Sequence, residues 1–168
     1  MKTIRHAVLL LLIFTSFLYF IVYPKSSDVS AEQAGLVFST REGFEADKCA
    51  SIWLLKRFID KNAVIIFFPK GEIIKEGIPF DTPDAKLRRY HNMSTFESML
   101  KHYELRDQRL ILIGKIIHDI EVNIWEKKVF PETYKVQEEI NKIIFNSKNS
   151  DEVIDKSCKY FDLLYTLY

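Results

Sequence analysis

Val64-Ile65-Ile66-Phe67-Phe68 is an unbroken apolar run stopped by Pro69, and no other segment constrains the fold so tightly. A strand that faces water on one side alternates apolar with polar residues, whereas a strand covered on both faces does not, so this run predicts a strand in a parallel sheet. Parallel strands need a crossover between them. One is supplied upstream. Leu36-Val37-Phe38-Ser39 reads as a short strand ending at Thr40-Arg41. After the turn Glu42-Gly43-Phe44-Glu45-Ala46, apolar residues recur at helical spacing at Ala50, Trp53, Leu54 and Phe58, with Ile52, Leu55 and Ile59 as a second stripe. Strand, helix and strand in so short a space predict a right-handed crossover unit. Trp53 lies within the apolar stripe and reads as core.

The second half reads as helices. Ser94-Thr95-Phe96-Glu97 fits a capping box that opens a helix running towards Tyr103. Asp107 suits the cap of a helix carrying Leu110, Ile113, Ile116 and Ile117 and ending near His118-Asp119. After a loop with Trp125 and Phe130, Pro131 suits a first helical position, and Val136, Ile140, Ile143 and Ile144 mark the apolar stripe of the next helix. A break at residues 146–150 precedes a last helix from about Asp151, with Ile154, Cys158, Phe161, Leu164 and Tyr165 at helical spacing. The expected fold is therefore α/β: a strand-helix-strand unit followed by a mainly α-helical C-terminal half, in one domain over residues 35–168. A length of 168 residues suits a single core.

Residues 1–31 read differently. Lys2 and Arg5 precede an apolar run over 7–23 that only Thr15 and Ser16 interrupt, and Pro24 with a polar tether follows. At 17 residues the run falls between a secretory h-region and a bilayer span, so a signal peptide and a signal anchor are both compatible with it. Two basic residues before the run against Lys25 after it place the N-terminus inside and the body outside. The expected location is periplasmic or otherwise extracytoplasmic, with the N-terminal segment as the contact with the membrane. Removing Lys2, Arg5, Lys25 and Asp28 from the chain's 24 basic and 23 acidic residues leaves 21 and 22. So even a balance, with both signs interspersed, gives no footprint for nucleic acid. Cys49 and Cys158 read as two separate buried thiols, since free cysteine is among the most buried residue types.

Two constellations carry chemistry. At the mouth of the crossover unit, Thr40 and Arg41 leave the first strand where Asp47 opens the helix. Ligands of open α/β sheets bind outside the carboxyl ends of strands, and a helix N-terminus attracts anions. Arg41 suits an oxyanion there, while Asp47 favours a cation or serves as a cap. The second constellation is His91, Glu97, His118 and Asp119, imidazoles and carboxylates that suit zinc or another divalent metal. Against it, His118 near a helix C-terminus is stabilised by the helix dipole without any ligand. A G-x-S-x-G elbow, a C-x-x-C pair and a Gly-rich phosphate loop are all lacking, so the residues give nucleophilic catalysis and nucleotide binding no support.

Thr40-Arg41, Asp47, Ala50, Trp53-Leu54, Arg57-Phe58-Ile59-Asp60, Phe67-Phe68-Pro69, Pro79-Phe80-Asp81, Thr95-Phe96-Glu97, Ile117-His118-Asp119-Ile120, Phe161-Asp162 and Leu164-Tyr165 occur in this order. From about residue 38 to the C-terminus this pattern resembles the chromate resistance family of the ChrB C-terminal domain type. Some members of that family join the domain to a regulatory region and respond to chromate, and others are exported resistance proteins. A leader with one domain resembles the exported kind. The resemblance adds weight to His118-Asp119 as part of a site and brings Arg57 into the oxyanion set with Thr40 and Arg41. Two departures stand out: Ser51 occupies the place, two residues before the Trp, where the family often has Cys, and His91-Asn92-Met93-Ser94 lacks the family's glycine. A family thiol role therefore does not carry over. Three readings follow: a domain binding a metal ion or oxyanion, a non-catalytic accessory domain contacting a transporter or other envelope protein, and a metal-dependent envelope enzyme. No motif names a protein partner.

Overall fold

The first strand, β1 (Val37–Arg41), forms the centre of a three-stranded parallel sheet in a computed structural model that describes residues 34–123 and 127–168. β2 (Val64–Phe68) pairs on one side, Val37 opposite Val64 through Arg41 opposite Phe68. The short β3 (Ile78–Pro79) pairs on the other, Phe38 opposite Ile78. The crossover from β1 to β2 is α1 (Ala46–Leu54), which continues as a π-helical stretch over Leu55–Ile59. Gly43, at φ 99°, turns the chain from strand into helix in a conformation that other residues rarely adopt. Four further helices follow: α2 (Thr95–His102), α3 (Gln108–Glu121), α4 (Thr133–Phe145) and α5 (Ser150–Leu167). The α/β front and helical back thus match the sequence reading, within one compact unit from Ala34 onward.

Caps fix where the helices begin. Ser94 accepts from the Glu97 amide at 3.1 Å, and the Glu97 carboxylate accepts from the Ser94 amide at 2.8 Å, closing the capping box. Asp107 caps α3 through the Arg109 amide, and Asn149 caps α5 through the Glu152 amide. Two expectations shift. Pro131 does not open α4, which starts at Thr133. β2 is an edge strand, not one covered on both faces, and Val64 is 49% exposed. Ile65 and Phe67 pack against the core while every residue of the run after Val64 is only partly buried, a distinction that periodicity does not encode. β3 escaped the sequence reading because two residues make no run.

The core gathers around α1. Trp53 is fully buried between Phe161 and Phe96, with ring centroids at 5.5 and 6.3 Å, and Phe58 and Tyr165 close the aromatic cage. Its indole N–H donates to Asp162 at 2.8 Å, so the buried polar atom is satisfied. α2 and α3 approach closely at Gly114, where a methyl group would meet Leu100 at 3.3 Å and Phe96 at 3.4 Å. Cys49 and Cys158 are buried free thiols, and burial pushes them up to about 12 and about 11. Trp125 and the apolar run 7–23 lie outside the described residues. Among those described, no helix is long and apolar enough to cross a membrane.

Candidate functional site

The capping box that starts α2 also aims its glutamate at α3. Glu97 Oε2 lies 2.8 Å from His118 Nδ1. An ionised carboxylate only accepts, so Nδ1 carries the hydrogen and Nε2 is the nitrogen left for a ligand. No described residue bonds Nε2. Lys115, one turn earlier on α3, shares the rim, and its ammonium pairs with no described residue. His91 reaches the same rim from the loop before α2. Together with Asp119 these side chains line an open cleft of about 580 Å³. Each member of the second sequence constellation thus borders one depression. Lys115 was missed, although its i, i+3 spacing from His118 puts both on one helical face.

Asp119 lines the cleft but works inward. It is 2% exposed, and both oxygens are engaged. Oδ1 accepts from Asn123 Nδ2 at 2.7 Å, while Oδ2 accepts from the Val129 and Phe130 amides at 2.8 and 3.2 Å and from Thr133 Oγ1 at 2.7 Å. Burial alone would raise its pKa, but the bonds from Thr133, Asn123 and the backbone outweigh burial and hold the carboxyl below its ordinary value. Asp119 is thus an anchor that pins the loop before α4 to the end of α3. Lys128 completes this junction by donating to the carbonyls of Asp119, Ile120 and Asn123 at that helix end.

Asp47 likewise has both carboxylate oxygens engaged within the fold. Fully buried in the first turn of α1, it caps α2: Oδ2 accepts from the Thr95 amide at 2.7 Å and Oδ1 from the Phe96 amide at 2.8 Å. Burial and the neighbouring Asp81 push its carboxyl up to about 7 against those bonds and the Arg89 charge. Arg89 places Nε 3.7 Å from Asp47 and donates from one terminal nitrogen to Glu45 and Glu121 at 2.9 and 2.8 Å. The mouth of the crossover unit is filled from within by Lys48, whose ammonium donates to the Arg41 and Gly43 carbonyls and lies 3.5 Å from Asp81. Nothing in the spacing of Lys48, Asp81 and Arg89 signals this network, since it is closed by residues far apart in the chain.

Thr40, Arg41 and Arg57 do not converge. Thr40 is buried and its hydroxyl has no hydrogen-bond partner among the described residues. Arg41 donates to the Pro69 carbonyl at 2.9 Å. Arg57 lies beyond the opposite end of α1, bidentate to Asp162 at 2.9 Å, and shares that carboxylate with the Trp53 indole N–H. The structure thus does not bring the three residues of the oxyanion set together, and Arg57 braces the π-helical stretch after α1 against α5. Asp47 is separate from His91, Glu97, His118 and Asp119, and among the described residues no three His, Cys, Asp or Glu side chains form a metal-holding group.

Protein ChrB of Cupriavidus metallidurans is 28% identical over 90 residues, a match that covers 52% of this chain and 28% of that protein. The chain therefore spans little more than a quarter of that relative's length. No solved structure matches. The family model for the C-terminal domain of ChrB matches residues 38–168, which takes in the sheet, the five helices and the whole cleft. The chain belongs to the ChrB C-terminal domain family.

Proposed function

We propose that this domain binds a small oxyanion in the cleft between α2 and α3, with Lys115 and His118 as its direct contacts. The observation that carries the reading is the state of the donors at the rim. Glu97 holds both Ser94 and His118 through Oε2, and Asp119 is spent on four donors of its own. Left without a partner among the described residues are Lys115, His118 Nε2, His91 and Glu97 Oε1; Lys115 offers an anion a charge-assisted hydrogen bond, and His118 donates from Nε2 in its doubly protonated form. The Glu97 to His118 bond also matches the outer carboxylate of a metal-bound imidazole. His91, His118 and Glu97 do not, however, come together as a metal-holding group among the described residues.

The domain acts outside the cytosol in this reading, delivered by residues 1–31, because basic residues flank the apolar run on its first side. A reporter joined after Tyr168 is expected to be active only outside the cytosol, and cytosolic activity would exclude export. Ligand class is tested by equilibrium binding of chromate, sulfate and zinc to the purified full chain, its Lys115→Met variant and its His118→Ala variant. Oxyanion binding that both variants lose supports the proposal. Zinc binding that only His118→Ala loses would replace the anion with a metal, and no binding of either would leave an accessory domain that works through protein contacts.

A further inference from the structure

A second surface lies on α4, away from the cleft. Val136 and Ile140 face the core, which leaves Tyr134, Glu138, Asn141 and Phe145 as an outward stripe at spacings of four, three and four residues. These are the spacings of a helix-pairing seam. Tyr134 is 62% and Phe145 88% exposed, large aromatic surface left in water at both ends of one helix. Between them Lys142 pairs with Glu138 at 2.8 Å and with Glu139 at 2.9 Å. The stripe borders a shallow groove of about 570 Å³.

The arrangement is self-complementary in one direction only. In an antiparallel pair of α4 helices related by a twofold axis near the middle of the stripe, Tyr134 of each copy meets Phe145 of the other. Glu138 then approaches Asn141 and Lys142 of the second copy, and Lys142 approaches Gln137 and Glu138, so both ion pairs can be shared across the axis. A parallel pair would set Glu138 against Glu138 and Lys142 against Lys142. An isologous contact requires this kind of self-match, and opposite charges at facing positions select partner orientation in helix pairs.

We infer that the exposed face of α4 is a self-association surface, on which a second copy of this chain packs its own α4 antiparallel. One helix from each copy buries less than the roughly 1,200 Å² typical of stable complexes, so the pair is weak, concentration-dependent and suited to capture by cross-linking. The inference is independent of what the cleft binds.

The test uses the full chain carrying Tyr134→Cys together with Phe145→Cys and a short bismaleimide, with Cys49 and Cys158 buried and the parent chain as the control. Eleven residues of helix separate the two positions by about 16 Å, too far for a short linker within one copy. A covalent dimer is expected for the double variant, with at least fivefold less from either single variant. Adding Lys142→Glu should abolish the dimer by facing acid with acid, and combining it with Glu138→Lys should restore it. Equal cross-linking by the single variants, indifference to Lys142→Glu, or failure of the exchanged pair to restore the dimer would overturn the inference. So would a parent chain, with both aromatics intact, that sediments as a monomer at every concentration up to the millimolar range.

Discussion

Asp47 and Asp119 sit in two regions built to the same plan, yet their acids are driven in opposite directions. Each is a buried aspartate on a helix, and each accepts two backbone amides from the start of a segment elsewhere in the chain. Around Asp119 a threonine hydroxyl and an asparagine amide join those donors, and the carboxyl is held low. Around Asp47 no side-chain hydroxyl or amide is added. Asp81 stands nearby, burial is complete, and the carboxyl is pushed up to about 7. Two backbone donors are therefore not enough to keep a fully buried carboxylate charged when another acid is close. At Asp119 the burial is lighter, no acid stands close and two side-chain donors are added, and together these reverse the outcome.

The largest effect expected from this contrast is at Asp119. Asp119→Ala strands two amides and the Thr133 hydroxyl in a buried junction and should destabilise the domain by about 4 kcal/mol at neutral pH, read as a shift in denaturant midpoint. A loss of less than about 1 kcal/mol would mean that the loop before α4 finds other partners and that Asp119 is free to act as a ligand.

The two acids should also respond to pH with opposite sign. Because the Asp47 value is raised from 3.8, the folded chain holds a proton that the unfolded chain has released. The stability it contributes is full below about pH 4 and is lost as pH rises through about 7, with a slope of at most about 1.4 kcal/mol per pH unit. Asp119, with its value lowered, contributes stability above its ordinary range that fades only in stronger acid. Asp47→Asn should flatten the segment between pH 4 and 7 in a series of denaturant midpoints, and an unchanged slope would assign it to another group.

Smaller effects distinguish the rim from these anchors. His118→Ala should cost only about 0.3–1 kcal/mol, the scale of a helix-end charge, while removing oxyanion binding measured by calorimetry. A larger loss of stability with binding intact would move His118 into the anchoring class. Arg41→Ala should change the midpoint by no more than about 0.5 kcal/mol, as is usual for a surface position, and leave binding unaltered. Loss of binding in that variant would return the ligand to the mouth of the crossover unit.

Local signals made much of this molecule legible. The capping box at Ser94 and Glu97, the cap at Asp107 and the spacing of Ala50, Trp53 and Leu54 each describe a structure closed within a few residues, and each appears where the chain predicts it. The cleft was half legible, since His118 and Glu97 stand out as chemistry-bearing types while Lys115 looks like any solvated lysine. The role of Asp47 was out of reach. In its own helix it reads as a first-turn acid, and its true partners are amides 48 and 49 residues away. Arg57 misled for the same reason, because its partner Asp162 lies 105 residues on.

Gly114 extends the lesson from bonds to distances. Its missing methyl lets α3 settle against Phe96 and Leu100 of α2, and Glu97 and His118 extend from those same two helices, His118 one turn further along α3. The gap between carboxylate and imidazole is thus calibrated from the interior, by an atom that is not there. A change at a site wholly hidden from solvent can therefore retune the cleft, and a search confined to the residues a ligand touches would never encounter the residue that sets its aperture.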